Sequence, residues 1–172
     1  INADHPFTWL NMGNYAIDIG DLGKAEDSYR RAITIEPSLP MSYVNLADLF
    51  RQMKMDARGE EVLQDGLKAI PNSPDIRHSL GLLMIRGGKT VPAMEHLRKA
   101  AELAPENSRY AYVYGVGLFS TGKYTEALTF MEEARKRHPF DRDILFGLVS
   151  YYGEMGQLDE AREIAEELAG YY

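Results

Sequence analysis

Four prolines of this 172-residue chain are separated by a constant interval of 34 residues, at Pro37, Pro71, Pro105 and Pro139. A fixed period of this length is typical of stacked supersecondary units, each of which buries its apolar face only against a neighbouring unit. A chain of this kind presents extended surface and encloses no reaction chamber. The interval therefore predicts a repeat protein that binds another macromolecule.

Small residues recur at the same interval, and they mark where two helices of one unit approach each other. With each proline near a repeat end, the units span residues 6–39, 40–73, 74–107 and 108–141, followed by a partial or capping unit at 142–172. The small residues fall at two phases of these units: Gly13, Ala47, Gly81 and Gly115, then Ala25, Gly59, Ala93 and Ala127.

A second set of glycines recurs midway through the units, at Gly20, Gly88, Gly122 and Gly156. Glycine readily adopts the left-handed conformation that ends a helix, so each unit is predicted to be two antiparallel helices joined by a tight turn. This gives ten helices in all. Ser73, Thr90, Asp141 and Asp159 are predicted to cap helix N-termini, because their side chains can accept hydrogen bonds from the first backbone N–H groups.

Further positions repeat in the same register. The first unit reads Trp9, Met12, Gly13, Ala25, Tyr29, Ala32 and Pro37, and the fourth reads Tyr114, Gly115, Ala127, Met131, Ala134 and Pro139. This pattern resembles the tetratricopeptide repeat family over nearly the whole chain. The resemblance implies an all-α fold, a right-handed superhelical solenoid of antiparallel helix pairs, forming a single domain over residues 1–172.

Two segments, HPFTWLNMGNYA and RYAYVYGVGL, are also similar to the repeat tails of bacterial exported multihaem cytochromes. That resemblance implies a periplasmic location, whereas the rest of the sequence leaves a cytoplasmic location equally open. The chain begins with Ile1 and ends within the repeat pattern. We therefore expect it to be an excised segment of a longer protein.

Composition narrows the classes of partner. The net charge of −7 and the pI near 5.1 argue against nucleic acid, whose binding needs clustered Lys and Arg. The mean hydropathy of −0.35 and the lack of a long apolar run argue against direct membrane insertion.

The sequence also predicts no enzyme activity, no cofactor and no metal site. Cysteine is absent, which excludes thiolate ligands, cysteine nucleophiles and covalent haem attachment. The four histidines, His5, His78, His96 and His138, fall at different phases of the repeat, and no two of them have the spacing of a metal site.

The family resemblance implies that the first helix of each unit lines a concave, peptide-binding groove. In the first two units the predicted groove residues are mostly polar: Asn11, Asn14, Asp18, Asn45, Asp48, Arg51 and Gln52. In the next two units they are more aromatic and apolar: His78, Leu82, Arg86, Arg109, Tyr112, Val116 and Phe119.

Several interpretations of these residues stay open. Asn11 and Asn45 lie one period apart and resemble a short asparagine ladder for a peptide backbone. Arg51, Arg86 and Arg109 either bind an acidic group or pair with carboxylates of the chain itself. Tyr112 and Phe119 are either binding hot spots or core packing. A clamp for chaperone C-termini is excluded, because Leu10, Asp75 and Ser79 stand where its cations are needed.

Two functions follow. The leading hypothesis is a non-catalytic scaffold or adaptor that binds a peptide segment of a partner protein in the groove. The alternative is a self-assembly or intramolecular docking module of a larger protein, with a homo-oligomer formed through the terminal repeats, because the last repeat leaves an apolar face containing Leu158, Ile164 and Leu168.

Overall fold

The computed structural model describes residues 5–171, and over that range it contains ten α-helices and no β-strand. The helices are α1 (Pro6–Asp18), α2 (Leu22–Ile35), α3 (Pro40–Gln52), α4 (Asp56–Ala69), α5 (Pro74–Arg86), α6 (Thr90–Leu103), α7 (Ser108–Ser120), α8 (Tyr124–Arg137), α9 (Arg142–Glu154) and α10 (Leu158–Tyr171). The predicted all-α fold of ten paired helices is confirmed.

The chain forms two compact units, and the boundary between them falls inside α6. Unit 1 is the described part of residues 1–100, and unit 2 is the described part of residues 101–172. The single domain predicted over residues 1–172 stays a prediction.

Every helix pair has the same dimensions. The first helix of each pair has 13 residues and the second has 14. Both begin at intervals of 34 residues along the chain, from Pro6 and from Leu22 respectively. The repeat period therefore fixes where helices begin as well as how many there are.

In the first four pairs the predicted small residues lie where the two helices approach each other closely. A Cβ added to Gly81 would lie 2.7 Å from the Leu97 side chain and 3.2 Å from the carbonyl oxygen of Ala93. In the second pair the small residues are exchanged, because Ala47 faces Gly59 and a Cβ on Gly59 would lie 3.2 Å from the Ala47 carbonyl oxygen. Two helices can come this close only where one of them lacks a side chain.

The core of unit 1 consists of two clusters of buried apolar side chains. One contains Leu10, Tyr29, Leu46, Leu49 and Phe50, and Trp9 packs against it. The other contains Tyr43, Leu63, Ile76, Leu80 and Leu83. In unit 2 the fully buried large side chains include Met131, Ile144, Leu145 and Leu148. Burial of each such side chain stabilises the fold by roughly 1.5–3 kcal/mol.

The turns between paired helices depend on one left-handed residue. Gly20 has φ +77°, and the glycines at the same repeat position of three other pairs have φ between +73° and +79°. The second pair has Lys54 at this position, with φ +59°. A side chain in this conformation costs roughly 1–2 kcal/mol relative to glycine. The second pair therefore accepts strain that the others avoid.

Two of the four predicted caps are confirmed. Ser73 accepts a hydrogen bond from the Ile76 N–H at 3.3 Å, and Asp141 accepts one from the Ile144 N–H at 3.0 Å. The prediction for Thr90 and Asp159 is wrong, because α6 begins at Thr90 and α10 at Leu158. In every pair the second helix begins two residues after the left-handed residue, which places both side chains inside the first turn.

Candidate functional site

In unit 1 the predicted polar residues share one side of α1 and α3. Asn11, Asn14 and Asp18 lie three and four residues apart on α1, as residues on one helix face do. The same spacing joins Asn45, Asp48 and Gln52 on α3. All six side chains are exposed except Asn45, which is half-buried. These six residues are called the polar face of unit 1.

A hydrogen-bond network joins α1, α2 and α3 at this face. The hydroxyl of Tyr29, on α2, donates to Oδ1 of Asn14 at 2.7 Å. Nδ2 of Asn45 donates to the same oxygen at 3.4 Å. The predicted ladder aligned Asn45 with Asn11 as two rungs for a peptide backbone, and this stays a prediction. Within the fold, Asn45 hydrogen-bonds to Asn14, which lies one turn after Asn11 on α1.

Asp48, a charged residue of the polar face, is paired with neighbouring side chains of α3. Asp48 accepts hydrogen bonds from Arg51 Nε at 2.6 Å and from Gln52 Nε2 at 3.1 Å. Burial alone would raise the pKa of Asp48, but these hydrogen bonds and the charges of Arg51 and Arg86 lower it below its ordinary value. Asp48 is therefore ionised, and its negative charge is already balanced by Arg51.

Arg86 also has a partner within the chain. Its Nη2 lies 3.6 Å from Oδ1 of Asp56, at the start of α4. The sequence left open whether these arginines bind an acidic group or pair with carboxylates of the chain itself. Arg51 and Arg86 pair with carboxylates of the chain. Any acidic group of a ligand would compete with Asp48 and Asp56 for these cations.

Two predicted groove residues of α5 are less accessible than the rest. His78 is buried, with 7% of its surface exposed, and Leu82 is half-buried. This placement removes His78 from the accessible face, because neighbouring side chains fill the space in front of it. The repeat phase identifies the side of the helix on which a residue lies but not the size of the residues around it.

In unit 2 the corresponding surface is apolar. Arg109, Tyr112 and Val116 follow each other on one side of α7; Arg109 is exposed and the other two are half-buried. Phe146, one period after Tyr112, is 61% exposed on α9. Among residues 5–171, Arg109 makes no hydrogen bond or ion pair. These four residues are called the aromatic face of unit 2.

Phe119 belongs to the packing beneath this face rather than to the accessible surface. Its ring stacks on Tyr151 with centroids 3.9 Å apart and planes 9° apart, and it meets the edge of Tyr124 at 4.8 Å. Only 9% of Phe119 is exposed. The packing interpretation therefore applies to Phe119.

Tyr112 lies against α9 at a point where α9 has no side chain. A Cβ added to Gly147 would lie 3.4 Å from the Tyr112 ring. One turn further along α9, the pKa of Tyr151 is raised to about 12, first by burial and then by the charges of Tyr112 and Glu154. Tyr112 is therefore held against α9 and still exposes part of its side chain.

Two clefts, one on each side of α8, were not predicted from the sequence. One, of about 440 Å³, is lined by Tyr114 and Leu118 of α7 and by Thr129 and Phe130 of α8. The other, of about 650 Å³, lies between α8 and the end of α9 and includes Glu132 and Tyr152. The Tyr152 hydroxyl donates to Glu132 at 3.0 Å. The signal available in the sequence was weak, because the lining residues belong to no single helix face.

Within the part of the chain that the structure describes, no group of three or more His, Cys, Asp and Glu side chains could hold a metal ion. Over the same residues, no helix is long and apolar enough to cross a membrane.

Three family models match the chain. Models described as tetratricopeptide repeat match residues 8–39 and 118–171. A model described as "Anaphase-promoting complex, cyclosome, subunit 3" matches residues 57–134. A TPR repeat-containing protein of Methanocaldococcus jannaschii is 24% identical over 161 residues, which cover 93% of this chain and 28% of that protein. The chain spans between 23% and 35% of the length of the first three curated relatives that it matches.

Solved structures of low sequence identity have the same fold. A crystal structure of MamA has a TM-score of 0.76 at 16% identity, and the match covers 99% of this chain and 93% of that one. A crystal structure of YrrB, described as a TPR protein with an unusual peptide-binding site, has a TM-score of 0.70 at 18% identity, covering 99% and 88%.

The similarity to repeat tails of multihaem cytochromes gains no support from these relatives and stays a prediction. The repeat pattern, the helix pairs and the two tetratricopeptide repeat models agree on one assignment, and the two models match residues in both units. The chain is a member of the tetratricopeptide repeat family.

Proposed function

We propose that the chain is a non-catalytic scaffold that binds an extended peptide segment of a partner protein on the exposed faces of the first helices of its pairs. The observation that carries this proposal is the polar face of unit 1, where exposed amides are held in place by hydrogen bonds from within the fold. Such amides suit a peptide backbone, which offers both donors and acceptors.

The aromatic face of unit 2 supports the same function by different means. Large rigid rings supply contact area at low cost in conformational entropy, and Tyr112 and Phe146 are partly or largely exposed. Arg109 adds a cation that is available for a carboxylate. One fold neighbour, YrrB, is itself described as having a peptide-binding site.

The proposal is non-catalytic because Asp48 and Tyr152, two of the groups whose pKa values are perturbed, are engaged in structural pairs. Asp48 is neutralised by Arg51 and Gln52, and the raised pKa of Tyr152 reflects burial first and then its hydrogen bond to Glu132. Neither arrangement leaves a poised acid or base facing open surface. The alternative of self-assembly or intramolecular docking is not favoured by the comparisons.

The test uses peptides selected on the wild-type protein from a random display library and measured again by calorimetry. Asn45→Ala and Tyr112→Ala change one residue of each face, and the double variant should lose at least about tenfold in affinity, since each removed contact is worth roughly 1 kcal/mol. Lys68→Ala is the matched control, because the Lys68 side chain is 78% exposed and belongs to α4, which contributes no residue to either face. Full affinity in the double variant would contradict the proposal.

A further inference from the structure

The cleft of about 650 Å³ between α8 and the end of α9, called the outer cleft, has a counterpart in unit 1. The positions three repeat periods before its lining residues lie on α2, on α3 or in the turn that follows α3. Tyr152 in the outer cleft corresponds to Phe50, and Leu128 corresponds to Glu26. The two places can therefore be compared residue by residue.

In unit 1 this place is filled by two arginine side chains. The guanidinium carbon of Arg58 lies 4.1 Å from the centroid of the Phe50 ring, and that of Arg30 lies 5.9 Å from it. Glu26 holds both arginines, because it accepts hydrogen bonds from Arg58 Nη2 at 2.7 Å and from Arg30 Nε at 2.9 Å. Phe50 itself is fully buried. Unit 1 thus shows which group fits beside the aromatic ring at this position, namely a guanidinium held by a carboxylate.

In unit 2 the same positions carry the opposite charge. Glu132 stands where unit 1 has Arg30, and Glu160 stands where unit 1 has Arg58. The ring of Tyr152 lines an open cleft as a result, and no guanidinium of the kind that covers the ring in unit 1 is supplied from these two positions. The outer cleft therefore keeps the aromatic ring and the carboxylates of such a contact but lacks the cation.

The carboxylates at the outer cleft are only partly neutralised. One oxygen of Glu132 accepts a hydrogen bond from the Tyr152 hydroxyl at 3.0 Å, and the other lies 3.4 Å from Nη1 of Arg135. Arg135 is shared, because its Nη2 pairs with Glu167. Glu160 is exposed and makes no ion pair among residues 5–171. Burial first, then Glu132 and then the charge of Glu160 raise the pKa of Tyr152 to about 12, so Glu160 lies near this ring.

We propose that the outer cleft binds an arginine side chain of a partner protein, with its guanidinium between Glu132 and Glu160 and its methylene chain along Leu128 and Met155. A planar guanidinium can pair with carboxylates and lie against an aromatic ring at the same time. Residues 101–172 carry six more acidic than basic side chains, which attracts a basic segment. The outer cleft includes no residue of the polar face or the aromatic face, so this inference goes beyond the proposed function.

The probe is the peptide Gly-Ser-Leu-Arg-Leu-Ser-Gly with both ends blocked, titrated into the isotopically labelled protein and followed by NMR. The side-chain signals of Leu128, Tyr152 and Met155 should shift. Citrulline in place of the arginine keeps its shape without its charge and should weaken binding at least about tenfold, and lysine should weaken it about threefold. Acetylarginine amide, which lacks the flanking residues, should also bind more weakly than the peptide. Equal affinity for acetylarginine amide would overturn the assignment to a partner protein, because the cleft would then take any small guanidinium compound.

Three variants test the residues of the cleft. Glu132→Gln and Glu160→Gln should each weaken the peptide about fivefold, because each removes one charge and keeps the shape of the side chain. Asp143→Asn is the matched control, since it removes an exposed carboxylate from the opposite end of α9. The triple variant Leu128→Glu, Glu132→Arg, Glu160→Arg introduces the residues of unit 1. It should abolish binding while its urea unfolding midpoint stays close to that of the wild type, because the same three residues are accommodated in unit 1.

The inference is overturned if Glu132→Gln and Glu160→Gln bind the peptide as tightly as the wild type does, or if the citrulline peptide binds equally well. These two single variants decide the question if the triple variant fails to fold. The double variant Asn45→Ala, Tyr112→Ala should keep full affinity for this probe, which separates the outer cleft from the proposed function. A loss of affinity in that double variant would show that the probe binds on the first helices, and the assignment of the outer cleft would then be wrong.

Discussion

The two units carry faces of different chemistry on helices of the same length and spacing. In unit 1 the polar face is organised by hydrogen bonds through Tyr29, Asn14 and Asn45. In unit 2 the aromatic face rests on stacked rings, with Tyr112 against α9 and Phe119 on Tyr151. Residues 1–100 hold 13 acidic and 12 basic side chains, whereas residues 101–172 hold 13 and 7. The net charges are therefore −1 and −6.

The difference shows what the repeat period does and does not constrain. Glycine, alanine and proline recur because helix contacts and turns require them at fixed positions, and these positions are buried or in turns. Exposed positions of the first helices carry no such requirement. A tetratricopeptide repeat can therefore change the chemistry of its face from one unit to the next without changing its backbone.

The largest expected effect is on the free energy of unfolding, and it should differ between a close helix contact of unit 1 and one of unit 2. A Cβ on Gly81 would meet Leu97 at 2.7 Å and the Ala93 backbone oxygen at 3.2 Å, and the backbone cannot move aside. A Cβ on Gly115, in unit 2, would meet the flexible side chain of Met131. Gly81→Ala should destabilise by about 2 kcal/mol and Gly115→Ala by clearly less, because a thioether can repack. Urea unfolding measures both.

The exposed Gly153, whose added Cβ would meet nothing within 4 Å, provides the control for this pair. Gly153→Ala should leave stability unchanged or raise it slightly, because alanine has the higher helix propensity. Equal losses at Gly81 and Gly115 would contradict the claim that the helix contact of unit 1 is the more rigid.

Much of the fold could be predicted from the sequence because the same residue pattern recurs in successive repeats. Glycine at four of the five turns within helix pairs indicated where each turn lies. Lys54 adopts the same left-handed conformation, although its residue type gives no sign of it. The caps of the second helices were mistaken at Thr90 and Asp159, because their start is set by turn geometry rather than by the nearest capping residue.

The candidate site was less predictable because accessibility depends on neighbours. His78 and Phe119 occupy the same side of the first helices as exposed residues do, but surrounding side chains cover them. Asn45 donates to the same oxygen of Asn14 as Tyr29, which lies on a different helix and outside the predicted groove set. Repeat phase identifies the face, and only three-dimensional packing identifies which atoms it offers.

The next prediction concerns the turn within the second helix pair of unit 1, where Lys54 stands in place of a left-handed glycine. Lys54→Gly should stabilise the protein by about 1 kcal/mol, because glycine adopts φ near +60° without a steric cost. Gly88→Ala, at the same position of the next pair, should destabilise by a similar amount. Thermal unfolding of the two variants checks this, and a loss of stability in Lys54→Gly would show that the lysine side chain makes a compensating contact.

A smaller effect appears in alkaline solution and belongs to unit 2. Tyr151 has its pKa raised from 10 to about 12, first by burial and then by the charges of Tyr112 and Glu154. The folded state thus favours the protonated phenol, so its contribution to stability is complete below pH 10 and is lost as the pH rises from 10 to 12. Tyr151→Phe should move the alkaline unfolding transition, followed by circular dichroism, to higher pH. The exposed Tyr15→Phe should leave that transition in place.

The smallest expected effect concerns the paired arginines of unit 1. It shows whether they contribute to the stability of the fold or to the binding of a ligand. Arg86 and Asp56 lie 3.6 Å apart with side chains 42% and 48% exposed, and exposed ion pairs contribute less than about 1 kcal/mol. Arg86→Gln should therefore change the free energy of unfolding by no more than about 0.5 kcal/mol. Because Arg86 is already paired with Asp56, the affinity of Arg86→Gln for selected peptides should also stay within about twofold of the wild-type value. Arg109 has no ion-pair partner among residues 5–171, so Arg109→Gln in unit 2 should weaken the binding of peptides that carry an acidic residue. Equal losses for the two arginines would mean that a ligand displaces Asp56, and the two faces would then recognise charge in the same way.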